Sequence, residues 1–242
     1  MKNLHKLFYK DYFKDVGFTV SDEEVKANKN ILNAKNSELL NSELKEIPAP
    51  DYVNQKFPLK ISYPGLITGV GINHEAGIEG EFKLGVHFDY TRGMPVVYGS
   101  SVKGVLRSYF VAFLLNKKKD FDKKVARQFE DDVFEGKNKN GNKPLYERDI
   151  FFDAVIVKAN AKGKILESDT LCPHGENPLK NPKPISFLKI ASGVTMEFRF
   201  KLVKSEIDGK TLSAEDKKQI FEEILKTVGV GAKTNVGYGQ FV

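Results

Sequence analysis

Cysteine is almost missing from this sequence: Cys172 stands alone, which excludes an intramolecular disulfide and any multi-cysteine zinc centre. The four histidines, His5, His74, His87 and His174, are scattered without metal-ligand spacing, so neither a metal nor a cofactor is expected. The opening stretch "MKNLHKLFYKDYF" lacks an apolar signal-peptide core and a small-residue cleavage site. No apolar run approaches membrane-spanning length. A cytoplasmic protein with no membrane partner is expected. A simple tandem repeat is also absent, as is the G-x-x-x-x-G-K-[ST] order of a nucleotide-binding P-loop.

What is present suits a folded chain. Its 242 residues are enough for one large domain or two small ones, and 40 % hydrophobic with 11 % aromatic content is globular rather than disordered. The formal net charge is +6 and the isoelectric point about 9.1. That excess points toward a polyanion such as nucleic acid, although a soluble protein that is merely basic has the same composition.

Residues 1–56 read as an N-terminal helical region and connector. Leu4, Leu7, Phe8, Tyr12 and Phe13 fall near one helical face, a second helix spans 22–46 after a Ser21 cap, and "IPAPDYVNQKFP" is a proline-punctuated link. The core is expected over 57–242. Extended segments are read at 58–71, 80–90, 149–159 and 192–203, and a proline-rich loop at 171–184. One helix is read at 100–115, with Val102, Val105, Leu106, Tyr109, Phe110 and Phe113 at helical spacing. A second is read at 213–228, capped by Ser213 and Asp216. The lysine- and asparagine-rich stretch 116–148 is taken as a surface insertion. Strands and helices alternate in an α+β order resembling a split β-α-β arrangement.

Two stretches suit phosphate. In "GMPVVYGSSVKGVLR" (93–107), a helix start would offer unpaired N–H groups, and Lys103 and Arg107, four residues apart, would project from one face. Alternatively, Ser100 or Ser101 only caps the helix and the two cations are solvated. In "GVGAKTNVGYGQF" (229–241), four glycines permit close approach, while Lys233, Thr234 and Asn235 offer a cation and short polar groups at the tip. Val228, Val230, Val236, Tyr238 and Phe241 would anchor it. The plainer alternative is a helix-to-strand turn in which the glycines relieve strain.

Together these stretches resemble the RAMP superfamily, the repeat-associated proteins of CRISPR systems. "VVYGSSVKGVLR" is similar to that family's proline/glycine-serine-serine-leucine-lysine-glycine segment followed by arginine, and "GVGAKTNVGYGQF" resembles its glycine-rich loop. With "IFFDAVIV" and "PLKNPKPISFLKIASGVTMEFRF", residues 60–242 look most like the sixth RAMP subunit of type III-B (Cmr) effector complexes. Tyr98 departs from the isoleucine-proline that usually precedes the glycine.

The resemblance implies a ferredoxin-like (RRM-like) core and a non-catalytic subunit that holds the 3′-ward part of the CRISPR guide RNA. Ser100, Ser101, Lys103, Arg107, Gly231, Lys233, Thr234, Asn235 and Gly237 would bind RNA, the two stretches meeting in one cationic trough. Recognition would be largely independent of sequence, through phosphate contacts. Implied partners are the guide RNA, its target RNA, a backbone RAMP subunit, a small helical subunit and the other head RAMP. The rival reading is a metal-independent endoribonuclease acting on CRISPR RNA, with His74 as general base. Tyr90 or Tyr238 could stack on a base, or serve as core and loop anchors.

Overall fold

The computed structural model describes residues 3–17, 21–68, 78–82, 85–139, 141–172 and 184–242. The helices are α1 (Leu4–Tyr9), α2 (Asp22–Leu40), α3 (Gly99–Lys117), α4 (Lys123–Glu130) and α5 (Ala214–Val228). The strands are β1 (Gln55–Lys60), β2 (Val96–Val97), β3 (Lys137–Asn138), β4 (Gly141–Asn142), β5 (Ile150–Phe151), β6 (Ala154–Lys158), β7 (Leu166–Leu171), β8 (Ile185–Ile190), β9 (Thr195–Lys201), β10 (Ser205–Ile207) and β11 (Lys210–Leu212). This is an α+β fold built on antiparallel sheets.

The central sheet has the order β1-β9-β6-β2, with β5 also paired to β9. The free edge of β1 is taken by the chain end: Ile61 bridges Phe241, and Lys60 and Val242 exchange backbone hydrogen bonds of 3.3 and 2.9 Å. Alternation fixes the two faces of the sheet. Phe57 and Leu59 of β1 are buried opposite Phe198 and Met196 of β9, whereas Lys56, Pro58 and Lys60 face out.

α3 and α5 cover the buried face. The inward stripe of α3 is Val102, Leu106, Phe110 and Leu114, all fully buried at four-residue spacing. Tyr109, expected on that stripe, lies one position off it and is 43 % exposed. α5 begins at a capping box in which Ser213 and Asp216 bond each other's backbone N–H. Its Phe221 packs against Phe110, Phe151 and Phe200, closing the core.

The N-terminal helices join this same core. Phe8 packs on Phe88, and the Tyr12 hydroxyl accepts from the Phe82 N–H (3.0 Å) while donating to Asn36 (2.6 Å). α2 stops at Leu40, shorter than expected, and the following chain has no regular structure before β1. It crosses the open sheet face, where Arg199 donates to the carbonyls of Ile47 (2.7 Å) and Pro48 (3.1 Å).

The stretch 116–148 is no solvated decoration. Phe121, Val125, Phe129, Val133 and Phe134 are buried in the main core, and Phe110 meets Phe134 at 5.2 Å. Asp122 caps α4 through the Val125 N–H, and a π-helical turn over Asp131–Glu135 follows. A hairpin of β7 and β8, paired from Leu166↔Ile190 to Leu171↔Ile185, stands where no strand is expected from sequence pattern. Of the proline-rich loop, residues 173–183 lie outside the described residues. The segment at 80–90 buries Phe82, Val86 and Phe88 as expected but forms only a single bridge, Phe88 to Pro95, among its described residues.

Candidate nucleic-acid interface

The start of α3 is already filled by a carboxylate. Asp153, just before β6, accepts from the Gly99 N–H at 2.7 Å, so neither Ser100 nor Ser101 caps the helix. Tyr98 precedes it at φ −56°, a value a proline would impose, and its ring stacks on His87 at 4.6 Å. The departure from the family pattern is thus accommodated. Ser100 and Lys103 line a groove of about 280 Å³ together with Glu135 and Arg148, and the Lys103 ammonium lies 5.8 Å from the Phe151 ring centroid. Arg107 is committed elsewhere: it bonds Glu135 at 2.5 Å and Glu130 at 3.4 Å. The Glu135 hydrogen bond, foremost, holds its guanidinium more firmly protonated than usual. A cation matched by two carboxylates has little field left for a phosphate.

The C-terminal loop is held by its own backbone. The Ala232 N–H donates to Ile67 O (2.9 Å), Gly239 N–H to Gly65 O (2.8 Å) and Val230 N–H to Gly239 O (3.0 Å). Two glycines make this possible. A Cβ on Gly231 (φ +96°) would stand 2.2 Å from Ile67 O, and one on Gly239 (φ +67°) 1.9 Å from Val230 O. Close approach is therefore real at these positions, but the neighbour is the protein's own chain. Val230, Tyr238 and Phe241 anchor the loop, while Val236, expected to do so, is 63 % exposed. The tip is different. Lys233 is left-handed (φ 59°) before a 3₁₀ turn of Thr234–Val236, and the side chains of Lys233, Thr234 and Asn235 make no hydrogen bond among the described residues. Gly237 is likewise open, with Pro64 Cδ 3.5 Å from a hypothetical Cβ.

The two stretches are linked through Thr68: a Cβ on Gly231 would lie 3.8 Å from Thr68 Cα, Thr68 Oγ1 accepts from the His87 N–H at 2.6 Å, and the His87 ring stacks on Tyr98, the residue before α3. β1 and β6 run parallel, both antiparallel to β9. α3 starts at the N-terminal end of β6, beyond edge strand β2, whereas the loop packs beyond the C-terminal end of β1 on the other edge. From the chain-end strand to β2 is four strand spacings, roughly 19 Å.

A family model described as "RAMP superfamily" matches residues 58–242. The chain belongs to that superfamily. This RAMP chain is also similar to the CRISPR system Cmr subunit Cmr6 of Pyrococcus furiosus, 26 % identical across 72 % of the chain. The match spans 64 % of that relative's own length. One chain of a type III-B Cmr-beta complex, solved by cryo-electron microscopy bound to cognate target RNA, shares the fold. Its TM-score is 0.58 at 20 % identity, over 96 % of this chain and 78 % of that one. A crystal structure of Cmr6 from P. furiosus superposes weakly, with a TM-score of 0.35 at 21 % identity over 78 % of this chain and 97 % of that one.

Other residues singled out in this RAMP chain divide clearly. His74 and His174 lie outside the described residues. His87 is half-buried on Tyr98, and burial pulls its imidazole below the ordinary value. Tyr238 is a buried anchor bonded to Asp169, whereas Tyr90 is 79 % exposed beside His5. Tyr63, 86 % exposed next to the Pro64 that faces Gly237, is a further aromatic at this surface, not expected from the sequence. Its exposure comes from the turn after β1, which the Pro64-Gly65 pair marks locally. Among the described residues, no helix is long and apolar enough to cross a membrane, and no cluster of three His, Cys, Asp or Glu is placed to hold a metal ion.

Proposed function

We propose that this RAMP chain is a non-catalytic subunit of a type III-B (Cmr) CRISPR effector complex that holds the 3′-ward part of the guide RNA. The observation that carries the reading is the C-terminal loop: a backbone locked by its glycines presents Lys233, Thr234 and Asn235 with unsatisfied side chains. A rigid tip with one cation and two short polar groups suits a sugar-phosphate strand, which it would position without reading bases. The similarity to Cmr6 and the fold shared with a Cmr-beta chain support the assignment to such a complex. On this reading β1, α3, β6, β9, α5 and the chain-end strand are the β-α-β-β-α-β of a ferredoxin-like unit. The guide RNA, its target and neighbouring Cmr subunits are the partners. Ser100, Ser101 and Lys103 are further contacts, and Arg107 belongs to the fold.

The test is incubation of the purified chain with labelled CRISPR RNA in the absence of divalent metal. Retention that weakens steeply with salt, without cleavage, is the expected outcome. Site-specific cuts that disappear in His74→Ala would instead assign an endoribonuclease.

A further inference from the structure

At the C-terminal ends of β1 and β6, the open sheet face carries a groove of about 450 Å³. Lys60 of β1 and Lys158 of β6 both pair in register with Thr195 of β9, so they stand level on either side of it. Two strand spacings, roughly 10 Å, separate their strands. A third cation, Lys162, comes from the turn after β6. That turn is built by Asn160, whose Oδ1 accepts from the Lys162 and Lys164 N–H groups at 3.0 Å each while its Nδ2 donates to Ser192 O at 3.2 Å. Gly193 (φ +79°) leaves the wall bare between them: a Cβ there would lie 3.3 Å from Asn160 Cβ and 3.9 Å from Lys60 Cε.

The charge of this groove is unmatched. Lys60, Lys158 and Lys162 form no ion pair among the described residues, and Glu167 is the one carboxylate among the described residues lining it. Lys56, on the same face of β1, shows the contrast, pairing with Glu197 at 3.2 Å. The other end of the face is roofed by the chain held on Arg199, so the open end is the cationic one. Three lysines spread over two strands and a turn suit a polyanion better than a single small anion.

The position links the groove to the glycine-rich loop. Lys60 pairs with Val242 of the chain-end strand, so loop and groove share one end of the sheet, roughly three strand spacings or 14 Å across. We propose that Lys60, Lys158 and Lys162 continue the Lys233 tip as one track for the sugar-phosphate backbone of a single RNA strand. This track is separate from the trough expected with the α3 start, and it rests on the RNA-holding reading above.

The full-length chain carrying Lys60→Gln, Lys158→Gln and Lys162→Gln tests it, with fluorescein-labelled single-stranded RNA of two unrelated sequences titrated across a salt series. The slope of log affinity against log salt is expected to shrink by about 2, at roughly 0.7 for each phosphate no longer neutralised, equally for both sequences. The matching triple Lys→Arg variant is expected to restore the slope, which separates missing charge from a damaged fold. If the wild type retains RNA and the glutamine variant keeps its slope, the track is wrong and the RNA-holding reading survives. If the wild type retains no RNA, that reading falls and the track falls with it. Loss of binding to neighbouring subunits with an unchanged RNA slope would make the groove a protein interface and overturn the proposal.

Discussion

The hydroxyl of Tyr238 donates to Asp169 Oδ2 at 2.9 Å, the same oxygen that takes the Lys189 ammonium at 2.7 Å. This contact ties the glycine-rich loop to the β7–β8 hairpin, and Lys189 is nearly buried beneath it. Asp169→Asn removes the charge that a buried ammonium needs. Destabilisation of about 1–2 kcal/mol is expected by denaturant unfolding. Hydrogen exchange should quicken at the Ala232 and Gly239 amides, whose bonds hold the loop. Unchanged exchange at those two amides would remove Asp169 from the role of loop clamp.

The same contact gives the loop two pH limits. Burial pushes the Asp169 carboxyl up, but the Lys189 ammonium, the Thr170 N–H and the Tyr238 hydroxyl outweigh it and leave it below the ordinary value. A folded-state value lower than the unfolded one contributes stability above about pH 4 that is lost as the pH falls through the folded value. Burial first, then Asp169, pushes the Tyr238 hydroxyl up to about 12. Its contribution is complete below about pH 10 and disappears as the pH rises through 12. Loop protection measured by hydrogen exchange should therefore fall at both limits, and Asp169→Asn should flatten the acid one.

Glycine substitutions should separate scaffold from tip. Gly231→Ala and Gly239→Ala each place a methyl against a backbone carbonyl at positive φ, so roughly 3 kcal/mol of stability should be lost. Gly237→Ala meets only an ordinary contact with Pro64 Cδ at φ +99° and should cost only about 1–2 kcal/mol. Thermal melts give the ranking. An RNA-binding defect in Gly237→Ala larger than its loss of folded protein would place the strand against the tip.

What the sequence showed and what it concealed follow from how far apart the interacting residues lie. α5 was legible because Ser213, Asp216 and the stripe from Ile220 to Leu225 are local signals. The helix at α3 was legible for the same reason. The insertion was misjudged because Lys117, Lys118, Lys119, Lys123 and Lys124 mask an apolar series at Phe121, Val125, Phe129 and Val133, whose four-residue spacing marks a buried face. The Arg107 ion pairs bridge 23 and 28 residues and depend on a π-helical turn. Lys60 and Lys158 become neighbours only through the register of β9. The glycine-rich loop was recognised, but the backbone that its glycines accommodate lies at Gly65 and Ile67, remote in the sequence.

A buried ion pair fixes the chain just before β5 to α5. Lys217 bonds Asp149 at 2.6 Å and Val203 O at 2.7 Å, and both charged side chains are almost wholly enclosed. Burial pushes the Asp149 carboxyl up and the Lys217 ammonium down, so desolvation opposes the pair even as it forms. Lys217→Met alone strands a carboxylate and should cost about 3–5 kcal/mol, whereas Lys217→Met with Asp149→Leu should recover most of that loss. Denaturant unfolding of both variants decides; a double variant as weak as the single one would mean the pair is a net source of stability.

Arg107 offers the sharpest division between fold and function. Its guanidinium is matched by Glu130 and Glu135, and Glu135 is shared with Lys137, so the charge is spent inside the protein. Arg107→Gln should therefore lower the melting temperature by loosening α3 from the π-helical turn, while RNA affinity and its salt slope stay as in the wild type. Lys103, which has no carboxylate partner among the described residues, serves as the comparison: Lys103→Gln should leave the melting temperature alone. A slope that shrinks by about 0.7 in Arg107→Gln would return that residue to the RNA interface. Its two carboxylates would then have to open in the bound state, and the corner at the start of α3 would join the track that the glycine-rich loop begins.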